Sequence, residues 1–71
     1  MTEDELIEKL TMCMNEELPD RYKPKLEEFK LLVDKDLMRA SYAVLDSLFT
    51  LEDWNPSSKL TGLIKSYQVV F

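Results

Sequence analysis

The sequence predicts an all-α fold: a compact bundle of four short helices, at about residues 3–17, 24–34, 37–49 and 56–67, with an apolar C-terminal tail. Three observations predict it. Apolar residues recur at steps of three and four in four separate stretches, the spacing that lines one side of a helix. Helix boundaries are signalled by a capping sequence at Thr2–Glu5, a proline stop at Pro19 and an Asn-Pro start at Asn55. A length of 71 residues with 45% hydrophobic content suits one folded domain spanning residues 1–71.

The first helix opens on Thr2-Glu3-Asp4-Glu5, in which the Thr2 hydroxyl and the Glu5 side chain can each take a free backbone N–H of the first turn. Three acids there also suit the positive end of the helix dipole. Leu6, Leu10, Cys13, Met14 and Glu17 then fall on one side, widened by Ile7. Pro19 ends the helix, because the residue before a proline is pushed out of helical geometry.

The connection Leu18–Pro24 is stiffened by two prolines, and Pro24 suits the first turn of the second helix; an alternative start lies near Asp20. Leu26, Phe29, Leu32 and Val33 form the inward stripe of that helix, with Tyr22 folding under it and Glu27, Glu28 and Lys30 outward. At Asp34-Lys35-Asp36 the chain turns back. No proline forces a break, so a single helix over residues 25–50 is the competing reading. The stripe restarts at Leu37, and Asp36 suits the cap before it, which favours two helices. The third helix places Leu37, Ala40, Val44, Leu48 and Leu51 inward, with Ser41 and Leu45 beside them, and small Ala40, Ser41 and Ala43 admit a close neighbour.

For the fourth helix Asn55 is the expected cap and Pro56 the first helical residue, with Trp54 stapled back on Lys59 or Leu60. Leu60, Leu63, Ile64 and Tyr67 point inward. Gly62 costs a helix about 1 kcal/mol against alanine, which suggests close packing there. Residues 67–71, Tyr-Gln-Val-Val-Phe, either extend this helix or leave it as a tail.

Function is bounded mainly by what is missing. So short a chain buries little more than half of its unfolded surface, and small domains usually gain from a disulfide, a metal or a partner. A single cysteine, Cys13, excludes an internal disulfide, and there is no histidine. We therefore expect no metal and no cofactor. Serine or cysteine catalysis lacks its usual base, and Cys13, on an apolar face among acids, reads as an inert core thiol. Carboxylate pairs lack the glycine loop of a calcium site, and no glycine-rich phosphate loop exists. The expectation is a protein that is not an enzyme. No run approaches a membrane span, and the acidic start Met1–Glu5 is unlike a targeting peptide, so a cytoplasmic protein is expected.

The net charge of −5 is concentrated. Residues 1–20 carry seven acids and one base, Lys9. Such a segment repels nucleic-acid phosphates and attracts a basic protein surface, although a solvated helix face is the plainer reading. The basic cluster Arg21, Lys23, Lys25 and Lys30 is balanced by Glu27 and Glu28 and reads as solvated. The candidate partner contacts are Glu3, Asp4, Glu8 and Glu16 as carboxylates, Tyr22 or Trp54 as an aromatic anchor, and Phe71 at the apolar C-terminus.

The acidic first helix with Glu5-Leu6-Ile7-Glu8-Lys9-Leu10, the Leu-Pro break, Lys25–Leu32, the short charged turn and Arg39–Leu48 together resemble the small helical immunity proteins that neutralise secreted bacterial toxins. The resemblance spans residues 5–66 and rests on spacing and size. It implies an acidic cytosolic helical protein that binds and blocks a cognate toxin. It carries over no individual residue beyond the acidic face. The chain departs from that pattern in having Asp34-Lys35-Asp36 where a glycine is usual, and in ending Val69-Val70-Phe71. The alternative is a small structural or regulatory subunit, or a homodimer, that uses an apolar helical face and the C-terminus.

Overall fold

Four stretches of three-and-four spacing become four helices. The structure, a computed structural model, describes residues 2–70; Met1 and Phe71 lie outside the described residues. Helix α1 is Glu3–Glu17, α2 is Lys23–Asp34, α3 is Met38–Ser47 and α4 is Ser58–Val70. Single 3-10 turns at Asp20–Tyr22 and Leu48–Thr50 lead into α2 and out of α3. Helix α1 packs mainly on α4, and α2 on α3, with α1 and α2 also in contact. The radius of gyration is 11.1 Å, the value expected for a close-packed chain of this length.

The first helix starts as its sequence predicts. The Glu5 N–H donates to the Thr2 hydroxyl at 3.2 Å, and Leu6, Leu10, Cys13 and Met14 are buried. Helix α2 begins at Lys23 with Pro24 in its first turn, where proline's missing N–H costs nothing. Leu26 and Phe29 are buried, and Leu32 and Val33 half-buried.

The turn between α2 and α3 corrects the expected cap. Asp36 does not cap α3; it adopts φ 60°, the left-handed region. The Asp36 N–H donates to the Val33 carbonyl at 3.0 Å and the Leu37 N–H to the Leu32 carbonyl at 2.9 Å. This pair of bonds is the Schellman arrangement that closes a helix, with aspartate where glycine is usual. One left-handed residue thus breaks what would otherwise run on as a single helix. The residue preceding α3 is Leu37, which makes no side-chain cap and is half exposed. Leu37 and Ala40 therefore face out rather than in, and the buried face of α3 is Ser41, Val44 and Leu45.

The start of α4 is also later than expected. Asn55 and Pro56 precede the helix, and Ser57 caps it: its Oγ accepts from the Leu60 N–H at 3.1 Å and its carbonyl from Thr61 at 2.8 Å. Trp54 is consequently three residues before the cap, not in staple position, and is half-buried against the core. The expected tail is helical through Val70. Two bonds to α3 hold this end: Tyr67 to Ser41 at 2.8 Å and Gln68 to Asp46 at 2.6 Å. Tertiary contacts override the weak helix preference of valine. Gly62 meets no close neighbour; a Cβ built there finds nothing within 4 Å.

Tyr67 is the centre of the core. It is fully buried, and its ring makes edge contacts with Phe29 (5.5 Å, 70°) from α2 and Tyr42 (5.5 Å, 87°) from α3. Edge-on aromatic pairs of this kind add about 0.5–1.5 kcal/mol beyond their buried area. Ser41 is the buried small residue that lets the Tyr67 hydroxyl approach α3.

Candidate functional site

Helix α1 carries the predicted carboxylates on its outward side because its inward side is consumed by the core. Glu3, Asp4, Glu8 and Glu16 are all exposed, as is Glu5. None of them is ion-paired among the described residues, where the salt bridges are Arg21–Asp53 at 2.7 Å and Lys30–Glu27 at 3.6 Å. Glu3 and Asp4 occupy the first turn and Glu16 the last, about 20 Å apart along a helix of this rise. They form a charged strip, not a convergent pocket.

Beside that strip lies a shallow groove of about 360 Å³ between α1 and α4, lined by Lys9, Met12, Cys13, Glu16, Lys59 and Leu63. A second depression continues it along α1 past Glu5 and Glu8, sharing Lys9 and Met12. Met12 stands at the junction and is 55% exposed.

The connections that carry the two aromatic candidates, on either side of the central helices, are tied to each other at Asp53. Asp53, next to Trp54, accepts from the Arg21 Nε at 3.0 Å and from the Tyr22 hydroxyl. The Arg21 guanidinium also lies 4.9 Å from the Tyr22 ring centre. The hydrogen bond from Tyr22 holds the Asp53 carboxyl below its ordinary range, and the same bond raises the Tyr22 phenol. Both Tyr22 and Trp54 are half-buried, so each presents one edge while the rest packs inward. Phe71 lies outside the described residues.

Sequence reasoning placed Glu17 on the inward face of α1 without finding its use. Its carboxylate accepts from the Ser57 N–H at 3.2 Å, the Ser57 hydroxyl at 2.6 Å and the Cys13 thiol at 3.0 Å. A carboxylate at the end of α1 is poorly placed for its own helix dipole, but here it faces the positive start of α4. Burial alone would raise its pKa; the bonds from Ser57 and Cys13 outweigh this and lower it. The same arrangement, led by burial, pushes the Cys13 thiol up to about 11. Cys13 is thus the buried core residue its position predicted, and a raised thiol pKa disfavours the nucleophilic thiolate.

The basic cluster is spent internally. Lys23 donates to the Asn15 carbonyl, Lys25 to Ser47 at 2.9 Å, Arg21 to Asp53 and Lys30 to Glu27. Among the described residues no group of three or more cysteine and carboxylate side chains is placed to hold a metal ion, and no helix is long and apolar enough to cross a membrane.

Fold and surface define an acidic all-α bundle with a charged first helix beside an open groove. No protein-family model matches the chain, and neither a curated protein nor a solved structure matches it significantly.

Proposed function

We propose that the chain is a non-catalytic protein-binding module that engages a basic protein surface through α1, in the manner of an inhibitor or immunity protein that blocks a toxin or effector. One observation carries this reading: α1 bears six acids against one base, and its five exposed carboxylates are left unpaired among the described residues. Unpaired exposed charge of one sign speeds encounter with an oppositely charged partner and fixes its orientation. A cytoplasmic location and independence from metal and cofactor belong to the same proposal.

The test is co-expression with the product of the adjoining gene, measuring relief of its toxicity and the association rate. The Glu3→Lys, Glu8→Lys, Glu16→Lys triple variant should associate at least about tenfold more slowly and with a flatter salt dependence. Unchanged kinetics would sink the reading.

A second reading has its own observation. Val69, on the last turn of α4, is 86% exposed and Val70 is 48% exposed, an apolar end suited to assembly with another subunit or a second copy. Sedimentation over a range of concentrations tests the second-copy form of this reading, which a strict monomer removes.

A further inference from the structure

We propose that the groove between α1 and α4, centred on Met12, receives the apolar face of a basic amphipathic helix from a different protein. The inference rests on the protein-binding reading above and adds to it the place and chemistry of contact. Met12 is the one large apolar side chain on the outward side of α1, and an exposed methionine adapts its shape to an incoming apolar group. Leu63 supplies the facing wall from α4, and buried Cys13 lies beneath. The depression continues along α1 from Glu16 to Glu5, a length of about 16 Å, which is three turns of a docked helix.

Charge selects the occupant. Glu5, Glu8 and Glu16 rim the groove and are unpaired among the described residues, so lysines or arginines flanking the apolar face of the incoming helix meet them. Lys9 and Lys59 sit singly beside the apolar centre and fix the register, since a base opposite either is repelled. A second copy of this chain is disfavoured, because a protein of net charge −5 would bring one acidic α1 against another. An anionic membrane is disfavoured for the same reason. The mode is a helix laid in a groove, with anchors at helical spacing.

Two labelled peptides of about fourteen residues and identical leucine, lysine and alanine content provide the probe. One gathers its leucines on a single helical face; the other scatters them. Anisotropy titration at about 0.15 M salt should show the amphipathic peptide binding at least about tenfold tighter. The largest amide shifts in an isotope-labelled sample should fall at Met12 and Leu63. Met12→Gln, which alters an exposed side chain and so leaves the melting temperature in place, should reduce binding to the level of the scattered peptide, while Met12→Leu retains it. Equal binding of both peptides, weakened by Glu8→Gln with Glu16→Gln, overturns the groove and leaves the acidic face standing. A separate shallow depression lies between α2 and α3, lined by Leu32, Ala40 and Ala43 among others, and amide shifts centred there overturn the groove as well. Binding by neither peptide overturns the groove and counts against the acidic-face reading too.

Discussion

The Ser57 hydroxyl donates to the Glu17 carboxylate at 2.6 Å, fastening the start of α4 to the end of α1. The Ser57 N–H and the Cys13 thiol donate to the same carboxylate, and Ser57 in turn caps its own helix. A carboxylate held by three donors, with its pKa lowered, makes stability depend on pH in a definite direction. The contribution is complete above the unfolded carboxylate value, about 4.3, and is lost as pH falls through the lower folded value. We expect Glu17→Gln to cost about 1–2 kcal/mol at neutral pH and to flatten the decline of stability as pH falls below about 4.3. Ser57→Ala, which removes both the bond and the cap, should cost about 1–2 kcal/mol. Urea unfolding across a pH series measures both.

Cys13 makes the opposite prediction at high pH. Its folded value of about 11 exceeds that of a free thiol, so its contribution is complete at neutral pH. It is lost as pH rises from about 8.5 towards the folded value, because only the unfolded thiol ionises in that window. The alkaline decline should be shallower in Cys13→Ala. Alkylation of the native protein at neutral pH should proceed at the rate of opening rather than at that of an exposed thiol, which a comparison in urea would show.

The turn between α2 and α3 is a place to gain stability. Asp36 holds φ 60°, which costs a residue with a Cβ about 1 kcal/mol and glycine almost nothing. Asp36→Gly should therefore raise the unfolding free energy by about 0.5–1 kcal/mol. Leu37→Asp, supplying the cap that α3 lacks and removing a half-exposed leucine, should add about 1 kcal/mol. A loss in either variant would contradict the geometry.

Gly62 offers a similar gain for a different reason. Space around it is open, so Gly62→Ala meets no clash and should stabilise by about 1 kcal/mol. A thermal melt suffices to check it.

The two core tyrosines should respond oppositely to loss of their hydroxyls. Tyr67 is hydrogen-bonded to Ser41 and donates to the Met38 sulfur at 3.2 Å. Tyr67→Phe should cost about 1 kcal/mol, because it leaves buried Ser41 with one partner fewer. The Tyr42 hydroxyl is buried with no hydrogen-bond partner among the described residues. Tyr42→Phe should be neutral or stabilising by about 1 kcal/mol, as read by urea midpoint at constant slope.

These residues mark where sequence reading succeeds. The inward stripes of α1 and α2, the break after residue 34, the burial of Cys13 and the exposure of the α1 acids follow from spacing and residue type. Spacing also placed Glu17 on the inward side of α1. It offered no sign that Ser57, forty positions on, would be there to meet it. A search for a serine cap beside Asn55-Pro56 could have found half of that pair.

What the sequence by itself determined is an acidic bundle of four helices, with its core faces and its charged first helix, because helical periodicity and charge are local properties of the chain. Tertiary structure decided the capping of α4 by Ser57 rather than Asn55, its continuation through Val70, and the meeting of Tyr67 with Ser41. The physical reason is common to all three. A helix end is set by whichever donors and acceptors reach it, and a buried polar group settles where its partner is. Both partners come from segments that only the packed chain brings within 3 Å or so of each other.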